Sequence, residues 1–146
     1  MSSMTFKIEG LKELNRALER IDKKVQASEI RKAARKSVVP TFKRIQMSVP
    51  VGSKPHRTYL GTLVSPGFLR RSIRLFSRID KKRGAAQVMV GPRAEAFYGS
   101  QFLELGFKSY SGKHIFAREF RAGIPSINRG FKQILKTNIN RAAKKR

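Results

Sequence analysis

Apolar side chains recur at steps of three and four residues in three separate parts of the chain, a spacing typical of amphipathic helices. The first stripe consists of Leu11, Leu14, Leu18, Ile21 and Val25. The second consists of Ile30, Ala33, Ala34, Val38, Phe42 and Ile45, and the third of Phe116, Phe120, Ile124, Ile127, Phe131, Ile134, Leu135 and Ile139. This pattern predicts two helices in the N-terminal third and one long helix at the C-terminal end.

Prolines and a capping residue set the expected bounds of the second and third helices. Ser28 stands where an N-cap would begin the second helix. Pro40 lacks the backbone N–H that a helix interior needs, so we expect a kink or break just before it, and Pro50 is expected to end the helix. Gly123 and Pro125 are expected to bend the third helix near its start.

Alternation of polar and apolar residues predicts strands between the helices. Residues 5–9 alternate in this way before a glycine. Residues 73–79 and 87–91 are two further strand-like segments, separated by a turn at 80–84. Together they predict an antiparallel hairpin with a basic tip. The predicted fold is therefore α+β, with a small antiparallel sheet packed against two N-terminal helices and a long C-terminal helix.

Chain length and composition set the expected domain organisation. The 146 residues suit a single domain covering residues 1–146. Residues 51–65 contain glycine and proline but few periodic apolar positions, which predicts a long loop ordered mainly by partners. Ser65 and Pro66 resemble an N-cap followed by a proline at the first helical position. Residues 141–146 form a basic tail that is expected to fray.

Charge is the most unusual property of the composition. The chain has 33 Lys and Arg residues against 9 Asp and Glu, a net charge of +24. Solubility alone needs a net charge of only about 2 to 8, and a larger one disfavours compaction through self-repulsion. The excess therefore indicates a polyanionic partner, with nucleic acid, acidic protein surfaces and anionic membranes as the candidates. No apolar run approaches the roughly 20 residues of a membrane span, so no segment is expected to cross a membrane. No membrane is expected among the partners.

Residues suited to catalysis or metal binding are few. Cysteine is absent, which excludes disulfides and thiolate-bound metals. His56 and His114 lie in predicted loops beside basic residues, and we expect surface histidines with no metal site. Glu104 stands between Leu103 and Leu105, where a buried carboxylate needs a cation or hydrogen-bond donors. We expect it to form a structural salt bridge to an arginine, and we expect no catalytic residue and no cofactor.

The aromatic stretch around residue 100 is the remaining candidate for chemistry. Phe97, Tyr98 and Phe102 do not match the aromatic motif of RNA-recognition sheets. Stacking on bases is one interpretation of these rings. We expect instead that they belong to the hydrophobic core.

The order of short motifs along the chain resembles a known family. A glycine-leucine pair opens the first helix, and Gly67-Phe68-Leu69-Arg70-Arg71-Ser72-Ile73 precedes the predicted hairpin. Tyr98 and then Phe102-Leu103-Glu104-Leu105-Gly106 precede the last helix. Over nearly its whole length the chain resembles the tail-completion, or neck, proteins of lambda-like long-tailed bacteriophages. It departs from them at Pro66, where the family has threonine, and in a longer loop at residues 52–64.

This resemblance implies a non-enzymatic structural protein of the virion tail, present in the host cytoplasm during assembly. It implies a ring, expected to be a hexamer, that joins the tail tube and terminator proteins to the head connector while double-stranded DNA passes through. A DNA duplex as long as one domain, roughly 38 Å, carries roughly 22 phosphates. The net positive charge of six subunits far exceeds this number of negative charges. We therefore expect most of the charge to face solvent or acidic neighbouring proteins, and only about one or two residues per subunit to line the channel. The candidates are Arg70, Arg71, Arg74, Lys81, Lys82 and Arg83.

Two further interpretations remain open. In the first, the chain is a free basic protein whose Lys and Arg side chains bind nucleic acid directly. It would be a small nuclease if Glu104 worked together with His114.

Overall fold

A computed structural model describes residues 23–80 and 85–144 together with Arg16 and Glu19. The helices in this part of the chain are α1 (Lys23–Ser48), α2 (Phe68–Ser72), α3 (Phe97–Leu105) and α4 (Ile115–Ala143), with a short 3-10 turn at Ala94–Ala96. The strands are β1 (His56–Arg57), β2 (Leu63–Val64), β3 (Ile73–Asp80), β4 (Ala85–Pro92), β5 (Gly106–Phe107) and β6 (Tyr110–Ser111). They pair as β1–β2, β3–β4 and β5–β6.

The architecture confirms the predicted α+β class, with small antiparallel sheets and a long C-terminal helix. The predicted strand at residues 5–9 lies outside the described residues. Most of the first predicted helix lies outside them as well, although Arg16 and Glu19 are helical. None of the described helices is both long enough and apolar enough to cross a membrane.

Contacts divide the chain into two compact units. Among the described residues, the first unit contains residues 23–39, 76–80, 85–89 and 123–144. The second unit contains Pro40–Leu75 and Val90–Ala122. The prediction of one domain over residues 1–146 stays a prediction, and each unit is described by itself below.

The core of the first unit is built by the apolar stripes of α1 and α4. Ala33 of α1 is buried together with Phe131, Leu135 and Ile139 of α4. Ile30, Ala34 and Ile134 pack against this cluster while remaining partly exposed. The backbones approach closely at Gly130, where an added Cβ would lie 3.6 Å from the Cβ of Ser37. The helical spacing seen in the sequence is therefore the spacing of real core positions.

Helix α1 continues through Pro40, so the predicted break is wrong. Ser28 lies inside this helix and is not its N-cap. A proline in a helix interior costs about 3 kcal/mol because it removes one backbone hydrogen bond. Val38 and Ile45 are almost completely buried on either side of the proline, and burial of such a side chain contributes about 1.5 to 3 kcal/mol. Packing of the helix thus offsets the missing bond.

The hairpin β3–β4 confirms the prediction made for residues 73–91. Its strands are joined by only four residues, which requires them to run antiparallel. The Arg78 Nε atom donates to Oε1 of Gln87 at 2.7 Å and links the two strands through their side chains. The predicted basic tip, formed by Lys81, Lys82 and Arg83, lies outside the described residues.

The predicted loop at residues 51–65 contains a small hairpin of its own. His56 pairs with Val64, and Arg57 pairs with Leu63. The Thr58 N–H donates to the carbonyl oxygen of Thr62 at 2.9 Å within this turn. Local backbone bonds therefore order part of the segment, while the expected contribution of partners stays a prediction.

Two expected element ends differ from the structure. Helix α2 begins at Phe68, so Pro66 is not its first residue, and the Phe68 N–H donates to the carbonyl of Ser65 in the preceding turn. Helix α4 continues to Ala143, so half of the predicted tail at residues 141–146 is helical. Tertiary packing of the α4 stripe as far as Ile139 extends the helix toward the C-terminus.

We predict that Leu135→Ala lowers the free energy of unfolding by about 2 to 5 kcal/mol, because it leaves a cavity in the α1–α4 core. The neighbouring substitution Lys136→Ala removes an exposed side chain and should change stability by no more than about 0.5 kcal/mol. Urea unfolding followed by circular dichroism measures both. Equal effects of the two variants would contradict the packing described for the first unit.

Candidate functional site

Among the described residues, exposed large apolar side chains concentrate in the second unit. The described part of the first unit has two of them, Val25 and Phe76. Those of the second unit are Met47, Val51, Tyr59, Leu60, Leu63, Tyr98, Phe102, Leu105, Phe107 and Tyr110. Single exposed apolar residues are ordinary, but a contiguous group of them marks an interaction surface.

Four of these rings form a continuous series, which we call the aromatic row: Tyr59, Tyr98, Phe102 and Phe107. The ring centroids of Tyr59 and Tyr98 lie 4.6 Å apart in an edge-to-face arrangement. Tyr98 and Phe102 follow at 6.3 Å, and Phe102 and Phe107 at 4.9 Å. The rings are 54%, 45%, 41% and 52% exposed, respectively. Aromatic pairs of this kind contribute about 0.5 to 1.5 kcal/mol beyond burial, which orders the row while it faces solvent.

Helix α3 presents two aromatic rings outward and buries a face made of one leucine and two small residues. Ser100 and Leu103 are its buried residues, and Ala96 is buried at its N-cap. Tyr98 and Phe102 stand on the opposite face, one helical turn apart. The prediction that these two rings belong to the core is therefore wrong. Leu103 supplies the large apolar side chain of the buried face, and the two rings are left at the surface.

Two hydrogen bonds attach the β1–β2 turn to the 3-10 turn that precedes α3. The Thr58 hydroxyl donates to Oε1 of Glu95 at 3.1 Å, and the Tyr59 hydroxyl donates to the carbonyl oxygen of Ala94 at 3.4 Å. These contacts hold Tyr59 beside Tyr98. The first member of the row is thus positioned by bonds within the second unit.

A cavity of about 350 Å³ adjoins the aromatic row. Tyr59, Tyr98 and Phe102 line it together with Phe68 and Leu69. Its basic and acidic lining residues are His56, Arg57 and Glu95. Small-molecule pockets usually measure about 300 to 1,000 Å³, so this one is at the small end and suits one or two side chains of a partner.

Glycine is required at both ends of the β5–β6 hairpin, which carries Phe107. A Cβ at Gly106 would collide with the carbonyl oxygen of Tyr110, and one at Gly112 would collide with the carbonyl oxygen of Glu104. Gly106 also has a φ of 86° and a ψ of 172°, a combination essentially confined to glycine. The close approach of these backbones places Phe107 next to Phe102.

Glu104 binds the N-terminus of α4. Its Oε2 accepts the Phe116 N–H at 3.0 Å, and its Oε1 accepts the Ala117 N–H at 2.9 Å. The first N–H groups of a helix have no partner within it and carry partial positive charge, so a carboxylate suits them. The expected salt bridge between Glu104 and an arginine is not found among the described residues. Backbone N–H groups bind this carboxylate instead.

The three arginines predicted to contact DNA or acidic partners have different surroundings in the structure. Arg70 donates from Nη2 and Nε to the carbonyl oxygen of Val49 at 2.7 and 3.0 Å, and from Nη2 to that of Met47 at 3.2 Å. It therefore satisfies carbonyl groups at the C-terminal end of α1. Arg71 donates to the carbonyl of Pro66 and to the hydroxyl of Ser65. The side chain of Arg74 is half-buried and forms no hydrogen bond with other described side chains or backbone groups.

The other carboxylate of this unit, Glu119, joins α1 to α4. The Arg44 Nε lies 3.7 Å from its Oε2, and the Ser48 hydroxyl donates to its Oε1 at 3.3 Å. His56 and His114 are both exposed, as expected for surface histidines. The described residues contain no group of three or more metal-binding side chains.

Charge in the second unit is strongly positive. Seven Lys and Arg residues lie in Pro40–Leu75 and five in Val90–Ala122, against Glu95, Glu104 and Glu119 as the acidic residues. Each of the three carboxylates accepts hydrogen bonds inside the unit. The acidic groups are thus used for internal contacts, and the surface keeps its excess of positive charge.

The sequence does not by itself show that the aromatic row is exposed. Ala96 and Ser100 share one helical face, and Tyr98 and Phe102 occupy the other. A helix with small residues on one face and aromatic residues on the other does not identify which face is buried. Hydrophobicity alone favours burial of the rings, and that preference led to the wrong prediction.

Comparison of the chain with protein-family models, with curated proteins and with solved structures finds no match in any of the three. The resemblance to phage tail-completion proteins therefore stays a prediction from the motifs.

We predict that Glu104→Ala lowers the free energy of unfolding by about 1 to 3 kcal/mol, because it leaves two helix N–H groups without their acceptor. Glu104→Gln keeps one acceptor oxygen and should lose less. Glu29→Ala, which removes an ion pair with the exposed Lys32 one turn along the same helix, is the control and should cost no more than about 0.5 kcal/mol. Urea titration measures all three, and equal losses for Glu104→Ala and Glu29→Ala would contradict the capping role.

Proposed function

We propose that the protein is a non-enzymatic structural component of a bacteriophage neck. Copies of the chain would form a ring, with six as the expected number, that completes the tail and joins it to the head connector. Double-stranded DNA would pass through the ring during ejection. The observation that carries this proposal is the aromatic row, an ordered apolar surface on a strongly basic chain, because such a surface suits docking to other proteins.

The internal use of carboxylates supports a structural role. Glu104 and Glu119 bind a helix N-terminus and basic side chains, respectively, and Glu95 holds the β1–β2 turn. In the nuclease interpretation Glu104 would act with His114, yet its two oxygens are already occupied by helix N–H groups. The order of motifs along the chain agrees with the same structural role.

The different surroundings of the three arginines reduce the number of residues proposed to contact DNA. Arg70 and Arg71 are held by backbone and side-chain acceptors of their own unit. Arg74 has no such acceptor among the described residues, so we assign it, with the predicted hairpin tip, to contacts with DNA or with acidic neighbours. A few contacts per subunit suffice for a channel, because the phosphates available along the ring are few.

We predict that particles produced without this protein contain DNA-filled heads and tails that remain separate. Electron microscopy of lysates from a nonsense mutant of its gene, with plasmid complementation as the control, measures joining. Mass spectrometry of purified virions should also detect the chain in the tail fraction. Normal joined particles in the mutant, or virions without the chain, would refute the proposed function.

A second candidate function is that of a free basic nucleic-acid-binding protein, and the net charge of +24 favours it. The neck proposal predicts that the isolated chain binds duplex DNA only non-specifically, with a Kd of about 10⁻⁴ to 10⁻⁶ M at physiological salt. Fluorescence anisotropy across a salt titration measures this affinity. Nanomolar binding at physiological salt would favour the second candidate.

A further inference from the structure

We propose that the aromatic row and its adjoining cavity bind an acidic protein segment that carries apolar anchor residues. The inference rests on the proposed function only for the identity of the partner, which would be a neighbouring protein of the head–tail junction. The surface itself is argued from its exposure, its ring geometry and the charge around it.

The apolar part of the ligand follows from the lining of the site. The row presents four exposed rings in series, and Phe68, Leu69 and Pro66 line the adjoining cavity together with three of them. Aromatic residues at such positions become the main contributors to binding when a partner excludes water from them. Leucine, methionine or aromatic side chains of a partner fit this environment.

The acidic part of the ligand follows from charge. The second unit carries twelve basic residues, seven and five in its two segments, against three glutamates that are all bonded internally. The Lys108 ammonium lies 5.3 Å from the centroid of Phe107, directly at the end of the row. Arg57 is exposed and lines the cavity, as does Tyr59, and its Nη1 donates to the carbonyl oxygen of Gly61 at 2.8 Å. Carboxylates that flank the apolar anchors would meet these basic side chains.

The ring geometry favours a protein ligand over nucleic acid. Base stacking needs free ring faces. Tyr98 meets Tyr59 at 78° and Phe97 at 72°, and an edge-to-face pair always covers one face of one ring. The Lys108 ammonium covers one face of Phe107. The row is therefore better suited to inserted side chains than to a series of stacked bases.

A second copy of the chain is disfavoured as the occupant, since it brings the same excess of positive charge to the contact. Like charges brought together at an interface oppose association. Contacts between copies within the proposed ring would then use other surfaces.

The inference is tested by the affinity of the full chain for labelled probes, measured by fluorescence anisotropy. The probes are a short peptide of alternating Asp or Glu with Leu and Trp, the same peptide with Ser in place of Leu and Trp, a Lys-rich peptide with the same Leu and Trp, and an oligothymidylate. We expect the acidic, anchored peptide to bind at least about tenfold more tightly than the other three. Its binding should weaken as salt rises, because part of the attraction is electrostatic.

Variants locate the site. Phe102→Ser and Phe107→Ser should each weaken binding of the acidic, anchored peptide by about tenfold or more, and Lys108→Glu should weaken it as well. Phe76→Ser is the matched control, because Phe76 is 44% exposed, close to the 41% of Phe102, but belongs to the first unit. It should leave the affinity unchanged. Circular dichroism of each variant checks folding, and the two row variants provide independent readings.

Each other outcome overturns the inference in a distinct way. Equal binding of the Ser-substituted peptide would show that charge alone acts. Tighter binding of the oligothymidylate that depends on Phe102 would assign the row to nucleic acid. Self-association lost in Phe102→Ser, measured by sedimentation velocity, would assign it to a second copy, and no binding of any probe would leave the surface without the proposed ligand. The neck proposal fails separately, through the particle experiments, so the two failures are distinguishable.

Discussion

The structure of the second unit depends on satisfying the ends of two long helices with charged side chains from distant parts of the chain. Glu104, from α3, accepts hydrogen bonds from the first N–H groups of α4. Arg70, from α2, donates to carbonyl groups at the end of α1. Both contacts agree in sign with the helix dipole, since the carboxylate meets an N-terminus and the guanidinium meets a C-terminus. The short helices α2 and α3 are thereby attached to the long ones.

These attachments explain how an exposed aromatic row can be well ordered. Helix α3 is held through Glu104 at its C-terminal end and through the contacts of Glu95 and Ala94 just before its N-terminal end. Its buried face already contains Leu103 together with the small residues Ala96 and Ser100, so the rings are not needed for its core. The rings are therefore exposed although α3 itself is packed and held at both ends. An ordered surface of this kind suits docking, because little ordering is needed when a partner binds.

The distribution of charge follows from the same contacts. Acidic residues of the second unit are consumed by internal hydrogen bonds and ion pairs, whereas several basic residues, including Arg57 and Lys108, remain at the surface. A chain built in this way meets acidic partners favourably and repels its own copies. The proposed ring would require such partners, or DNA in its channel, to offset that repulsion.

The amino-acid sequence by itself determined the elements in which apolar residues recur at regular intervals. These are the helices α1 and α4 and the β3–β4 hairpin. Local periodicity reports which face of such an element is apolar, and long stripes such as that of Leu135 leave little choice about burial. It did not determine whether Pro40 would break α1, because the outcome depends on how deeply Val38 and Ile45 are packed. It did not determine the partner of Glu104 or the exposure of Tyr98 and Phe102 either. Those were decided by tertiary structure, because a carboxylate binds whichever donor the fold brings near it, and a helix with two possible inner faces buries the one that its neighbours accommodate.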